Sequence, residues 1–436
     1  MAGEIRKRPA SPLAGSPVKK AKRVATSPGT GFALPSGKTA FPLDAKVKRT
    51  SVTSKSSYLD KRCDKCDGLT VEDCLKLQYQ STNGEKVGYK LADLRYDVQA
   101  KRLTVSGGSA VPKVKAPAPG VMKAVPLAAA NNMSSVNSLA GGVRLANGTV
   151  MPAVGFGTYK LKNAEVASPL LSALKAGYRL VDTAQVYENE QGVGDAIRRS
   201  GLGRGDVFIE TKVWRSSHGY ERTMKAFNQS LKKLGVDYID LYVIHWPGCK
   251  TGWPLPKGTM CPKDWTPAMR DTGTWRAMED LYDQGKVKAI GVTNYSIRHL
   301  KELLKRCRIK PMVNQVEFHP RLVQTDMLEF CKKHGIAVQA YASLGSGDAA
   351  QAESFFSFEP VQAAAKAHKV TPAQVLLRWS LQKGCHIVPK SLRPERIKEN
   401  AGLFSFKLSA AEMRAIDALN TGTRYAWKGL DPDTVK

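Results

Sequence analysis

The chain has 436 residues, 42% of them apolar, and a formal net charge of +29 from 67 basic and 38 acidic side chains. That length and apolar content suit two or three globular domains with at least one large core, and argue against a wholly disordered or fibrous chain. No apolar run reaches the roughly 18 residues of a membrane helix, and MAGEIRKRPASP at the N-terminus lacks the apolar stretch of a secretory signal, so a soluble protein is expected.

The charge is uneven. Residues 1–140 hold 24 basic and 10 acidic side chains, a net +14, in less than a third of the length. Residues 1–57 are rich in Pro, Ser, Thr, Gly, Lys and Arg, and this composition predicts a disordered basic tail. Arg6-Lys7-Arg8 and Lys19-Lys20-Ala21-Lys22-Arg23 look like a bipartite nuclear-import signal, which would make an import carrier a partner through residues 6–23. Ser11-Pro12, Ser16-Pro17 and Ser27-Pro28 look like phosphorylation sites whose phosphates would offset that charge. A plain solvated tail or an organelle transit peptide fits the same residues.

Residues 58–106 read as a small α+β module of no recognised family. TVEDCLKLQ suits a short helix capped by Thr70, and KLQYQSTNGEKVGYK suits a hairpin turning at Asn83-Gly84. LRYDVQAKRLTV adds strand character. Cys63 and Cys66 have zinc-ligand spacing and Cys74 follows, but no fourth Cys or His appears before residue 218, so packing or free thiols are preferred to metal. Residues 107–140 read as a linker. The eight cysteines, five of them scattered singly after residue 240, do not read as a disulfide framework and point to a reducing compartment, hence nucleus or cytoplasm.

From about Val143 the pattern changes. Short apolar runs at 154–158, 178–183, 207–213, 240–246, 289–294, 312–318, 337–342 and 386–391 alternate with amphipathic helical stretches, several ending at Gly. Eight such pairs predict an α/β fold, a (β/α)8 TIM barrel over residues 141–436, with VRLANGTVMP as a β-hairpin ahead of the first barrel strand. An open doubly wound sheet competes, but Gly155-Phe156-Gly157 lacks the third glycine of a dinucleotide-binding turn.

In such a barrel the C-terminal strand ends build the site. Here they carry Asp182 and Tyr187, Lys212, His245, Asn294, Gln315, Tyr341, and Lys390 with Ser391. A phenol gives up its proton reluctantly, near pH 10, and a nearby ammonium lowers that value. Lys212 is placed to do this, with Asp182 holding it charged, while His245 can donate to a carbonyl oxygen that is becoming an alkoxide. An acid and an oxyanion stabiliser, with neither an evident nucleophile nor a metal, suit carbonyl reduction by a hydride that a cofactor supplies.

The motifs MPAVGFGTYK, DTAQVYENE, ETKVW, LYVIHWP, GVTNYS, VNQVEFHP, YASLGS and VPKSLRPERIKEN occur in one order, and over residues 143–428 the chain resembles the aldo-keto reductases. The resemblance implies an NADPH-dependent reductase with a tetrad of Asp182, Tyr187, Lys212 and His245 and Tyr187 as proton donor. It implies a cofactor site of Thr158, Thr293, Asn294, Gln315, Tyr341, Leu344 and Ser346, with Lys390, Ser391 and Arg396 at the adenosine 2′-phosphate and Glu399 and Asn400 at the adenine. Two cations, Lys390 and Arg396, favour NADP(H) over NAD(H) on charge. Tyr159, Trp246 and the loop 248–265, with Trp253 and Trp265, are expected to line the substrate pocket, and the short tail after Asn420 suggests aldehydes and small ketones. A monomer is expected. The rival reading is a non-catalytic NADPH-binding sensor or scaffold that docks nucleic acid or protein through its basic N-terminal region, where Tyr58, Tyr79, Tyr89 and Tyr96 could stack bases.

Overall fold

A computed structural model describes residues 131–249, 261–345 and 354–435, together with four short strands nearer the N-terminus. The chain divides into two compact units, Met1–Val121 and Met122–Lys436. In the first unit, β2 (Gln78–Gln80) pairs antiparallel with β3 (Lys86–Gly88), Tyr79 opposite Val87, as the Asn83-Gly84 turn predicts. β1 (Lys46–Arg49) pairs antiparallel with β4 (Leu103–Ser106), Val47 opposite Val105. This corrects the tail boundary: composition assigns Lys46–Arg49 to the disordered segment, but their strand partner lies more than fifty residues away, where no local pattern reveals it. The basic clusters, Cys63, Cys66, Cys74 and the helix expected from Thr70 lie outside the described residues.

The expected linker also ends early. Asn131 donates its backbone N–H to the Arg144 carbonyl at 3.0 Å, and Met133, Val136 and Leu139 pack against the core of the second unit. β5 (Gly142–Arg144) and β6 (Val150–Pro152) then form the expected hairpin. Eight parallel strands follow: β7 (Gly155–Gly157), β8 (Leu180–Asp182), β9 (Phe208–Val213), β10 (Ile239–Ile244), β11 (Val287–Thr293), β12 (Val313–Glu317), β13 (Ala337–Tyr341) and β14 (His386–Ile387). They pair in strict chain order. A parallel bridge between Val154 and Ile387 joins the last to the first, with Gly157 N–H donating to Pro389 O at 3.1 Å. The result is the (β/α)8 barrel with its leading hairpin.

Helices α1 (Ala167–Lys175), α2 (Glu190–Arg199), α3 (Tyr220–Leu234), α4 (Trp275–Asp283), α5 (Ile297–Leu304), α6 (Thr325–His334), α7 (Glu359–His368), α8 (Pro372–Gln382), α9 (Pro394–Glu399) and α10 (Ala410–Asp417) are the α-helices among the described residues of this unit. Their ends follow local chemistry. Thr371 caps α8 by accepting from Gln374 N–H, with Pro372 at the first helical position. α3 stops at Gly235, whose left-handed backbone (φ 67°) sends its N–H to Leu231 O. The barrel strands are buried at nearly every position, as strands covered on both faces must be. Among the described residues no helix is long and apolar enough to cross a membrane.

Close packing depends on glycine where α2 meets the C-terminal end of α3. A Cβ on Gly194 would stand 2.1 Å from the backbone oxygen of Leu234. Gly194→Ala is therefore expected to destabilise the barrel by about 1–3 kcal/mol, against the usual helical gain from alanine. Chemical denaturation checks this, and an unchanged midpoint contradicts it.

Candidate active site

Strand alternation aims the central residues. On β9, Glu210 and Lys212 are two apart and face the barrel interior, while Thr211 faces outward and donates its hydroxyl to Glu190 Oε1 at 2.7 Å. Lys212 has no solvent exposure. Its ammonium donates to the Asp182 carboxylate at the end of β8, and to Thr183 O at 2.9 Å. Tyr187 closes the short 3₁₀ turn Gln185–Tyr187 that follows, and its ring centre lies 5.2 Å from Lys212 Nζ. The His245 ring, just past β10, is 5.6 Å from the Tyr187 ring. Asn294, in a left-handed conformation (φ 60°) after β11, donates to His245 O at 2.9 Å and accepts from Tyr341 Oη at 2.6 Å. Asp182, Tyr187, Lys212 and His245 thus meet at one end of the barrel, on the C-terminal side of its strands.

The electrostatics correct one expectation. The sequence suggests that Lys212 lowers the pKa of Tyr187. Instead, burial pushes the phenol well above its ordinary value, and the charges of Asp182 and Glu210 push the same way. The Lys212 ammonium, shared with Asp182 and Thr183 O, does not outweigh that burial. Tyr187 is held as a neutral phenol with its proton available. Burial, with Lys212 and Arg215 nearby, holds His245 well below its ordinary value, so the imidazole is neutral and keeps one N–H to donate.

A cleft of about 670 Å³ runs outward from this group. Its inner end is lined by Asp182, Tyr187, His245, Thr293, Asn294 and Gln315, its middle by Tyr341, Leu344 and the residues between them. Lys390, Ser391, Arg396, Glu399 and Asn400 line the far end. Lys390 and Arg396 make that end cationic, and burial, with the neighbouring Lys160 ammonium, holds Lys390 below its ordinary value. Among the described residues, the buried hydroxyls of Thr293 and Ser343 on the cleft wall have no hydrogen-bond partner. A long cleft with one orphaned hydroxyl at its inner end, another midway and cations at its far end fits a pyridine dinucleotide. Ala342, on the same wall, takes a left-handed backbone (φ 58°), an uncommon conformation for a residue with a Cβ.

Several expected residues are placed differently. Thr158 does not line the cleft: it is buried, and its hydroxyl donates to Asp182 O at 2.9 Å, so it fastens β7 to β8. Trp246 does not line it either; it is buried behind Trp427, ring centres 5.2 Å apart. Trp265 donates Nε1–H to His218 Nδ1. Ser346 and Trp253 lie outside the described residues. Tyr159 is at the mouth as expected, 41% exposed and 5.1 Å from the Tyr187 ring. Sequence reasoning missed Trp427, which reaches in from the C-terminal tail. Its ring centre lies 5.8 Å from His245 and 6.2 Å from Tyr159, and it stacks on Trp214 at 6.3 Å. It also missed a disulfide between Cys249 and Cys261, which corrects the reading of the scattered cysteines after residue 240 as carrying no disulfide. Single cysteines twelve residues apart give no local sign that the chain brings their Cα atoms to 5.8 Å.

Comparison with known proteins agrees with this geometry. Residues 153–421 match the Aldo/keto reductase family. Glyoxal reductase of Bacillus subtilis is 45% identical over 297 residues, covering 68% of this chain and 98% of that protein. The 9,11-endoperoxide prostaglandin H2 reductase of Trypanosoma cruzi is also 45% identical, over 292 residues, 67% of this chain and 94% of that one. The crystal structure of MGS-M4, an aldo-keto reductase from a Medee basin deep-sea metagenome library, superposes with a TM-score of 0.59 at 40% identity, covering 66% of this chain and 98% of that one. The chain belongs to the aldo/keto reductase family and is an NAD(P)-dependent oxidoreductase acting on carbonyl compounds.

Proposed function

We propose that the protein reduces aldehydes and small ketones to alcohols with NADPH, using Tyr187 as the proton donor. The observation that carries this is the meeting of Tyr187, neutral His245 and the Lys212–Asp182 pair at the inner end of a cleft whose outer end is cationic. When bound, NADPH supplies hydride to the carbonyl carbon. Tyr187 gives its proton to the oxygen as negative charge gathers there, and Lys212 accommodates the phenolate left behind. His245 donates N–H to the same oxygen and orients it. Asp182 holds Lys212 in place. Thr293, Asn294, Gln315 and Tyr341 would hold the nicotinamide end, Leu344 would border the pyrophosphate, and Lys390, Ser391 and Arg396 would hold the 2′-phosphate. Glu399, which already accepts from Thr371 Oγ1 at 2.8 Å, and Asn400 would border the adenine.

The aromatic ring group of Tyr159, Tyr187, Trp214 and Trp427 narrows the substrate end and favours small or flat carbonyl compounds. The name of the Bacillus relative, glyoxal reductase, points to substrates of the same size.

Tyr187→Phe is expected to lower kcat by about 10²–10⁴ with a simple aromatic aldehyde, while NADPH binding, followed by fluorescence quenching, stays nearly intact. Near-normal turnover would remove Tyr187 from its role. Arg396→Ala is expected to raise the KM for NADPH about tenfold or more and leave the KM for NADH unchanged, because the lost charge-assisted bond reaches only the extra phosphate. Equal effects on the two cofactors contradict the assignment. Trp427→Ala is expected to raise kcat/KM for a bulky aryl ketone relative to methylglyoxal by about tenfold. A constant ratio would show that Trp427 does not set the pocket's width.

A further inference from the structure

Glu210 is a fully buried carboxylate for which the mechanism above has no use. It occupies the same inward face of β9 as Lys212, one alternation below it, and is paired in register with Asp182 on β8. Two neutral amides reach it across the barrel. Gln315 of β12 donates Nε2–H to Glu210 Oε1 at 3.1 Å and lies 3.3 Å from Asp182 Oδ2. Gln339 of β13 donates to Glu210 Oε2 at 2.8 Å, and its own oxygen accepts from Gln315 at 2.7 Å. Asp182 and Glu210 therefore flank the single amide of Gln315, whose two N–H groups are shared among them and Gln339, beside one ammonium. Each carboxylate oxygen of Glu210 has an N–H donor, an arrangement suited to the ionised form.

We infer that Glu210 is a positioning residue whose negative charge, transmitted within the Asp182–Gln315–Lys212 cluster, opposes loss of the Tyr187 proton and so biases the enzyme toward carbonyl reduction over alcohol oxidation. This rests on the reading of Tyr187 as the acid. The charged groups facing Glu210 are Asp182 from β8 and Lys212 on its own strand; from β12 and β13 it meets the neutral Gln315 and Gln339. Two buried carboxylates and one ammonium cannot all be charged without leaving an unbalanced negative charge in the interior. Burial raises both carboxyls, Asp182 against the pull of Lys212 and Gln315; at Glu210, burial and then the Asp182 charge push the carboxyl up to about 8, while Lys212 and the Gln339 N–H pull the other way. Its proton thus leaves before that of Tyr187, whose own value is pushed well above the ordinary one. Once ionised, Glu210 makes the second deprotonation harder. Reduction needs the phenol and oxidation of an alcohol needs the phenolate, so the same charge protects one direction in alkali and starves the other.

The test is a pair of pH profiles, kcat/KM for aldehyde reduction with NADPH and for alcohol oxidation with NADP⁺, on wild type, Glu210→Gln and Gln339→Met. Glu210→Gln keeps the shape and removes the charge. The alkaline fall of reduction and the alkaline rise of oxidation are both expected to move to lower pH by about one unit. Gln339→Met leaves Glu210 in place but withdraws the N–H that favours its ionised form, and should move both limbs the same way by less. It decides the matter if the Gln variant does not fold. A purely structural role would lower both activities without displacing either limb. Limbs that superimpose on those of wild type, or move to higher pH, overturn the inference. Tyr187→Phe measured alongside separates the two failures: if it is inactive while the Glu210 variant superimposes on wild type, only the role of Glu210 falls, and if it keeps the wild-type profile, the reading of Tyr187 falls first.

A second readout follows from linkage. The folded-state value of about 8 stands above the model-peptide value of 4.5, so the folded state binds more protons between them and Glu210 lowers stability as pH rises through that window. Glu210→Gln should therefore gain melting temperature relative to wild type from about pH 5 to about pH 8. A constant difference contradicts the placement of this proton.

Discussion

An ammonium with no access to water governs this end of the barrel. Lys212 is fully buried, and removing its partner would leave an uncompensated charge at a cost of about 3–5 kcal/mol. The register of β8 against β9, Asp182 beside Glu210, brings the Asp182 carboxylate to it. Thr183 O takes another of its donors, so the backbone that leaves β8 is held as well as the side chain. That backbone leads directly into the turn carrying Tyr187. The position of the phenol therefore follows from the need to neutralise a lysine, and Thr158, bonded to Asp182 O from β7, braces the same point from the other side.

Below this group the interior becomes a shared polar layer. Gln315 and Gln339 supply N–H groups from strands opposite Glu210, so the buried acids are hydrogen-bonded across the barrel. Such networks are rigid when every member is satisfied. Here the network lies directly under the cleft, and Gln315 belongs to both, lining one and bridging the other.

The barrel was legible because its strands are short apolar runs separated by helices with Gly stops and Thr or Ser caps, signals that act over a few residues. The strand-end chemistry was legible for the same reason, since Asp182, Lys212 and His245 sit where a β-run stops. What the sequence hid depends on distant partners. Trp427 joins the site from the tail, close to residues far earlier in the chain, and no periodicity marks it. Trp246 follows His245, so alternation alone turns it to the opposite side, a consequence the sequence reading overlooked. Glu210 was equally accessible: two residues before Lys212 on one strand, it must share its face. The direction of the Tyr187 shift could not be read, because it depends on how fully Asp182 engages Lys212 and on burial.

The barrel closes at its thinnest place. β14 has two residues, and its junction with β7 consists of one bridge and a few backbone bonds around Gly157, where a Cβ would meet Val388 O at 2.7 Å. Gly157, Val388, Pro389 and Lys390 also line the cleft, so its walls come from both edges of that seam. A dinucleotide lying there would act as a rivet across the join, linking the first and last staves of the cylinder. Its binding would then reinforce the join that the backbone alone makes with few bonds.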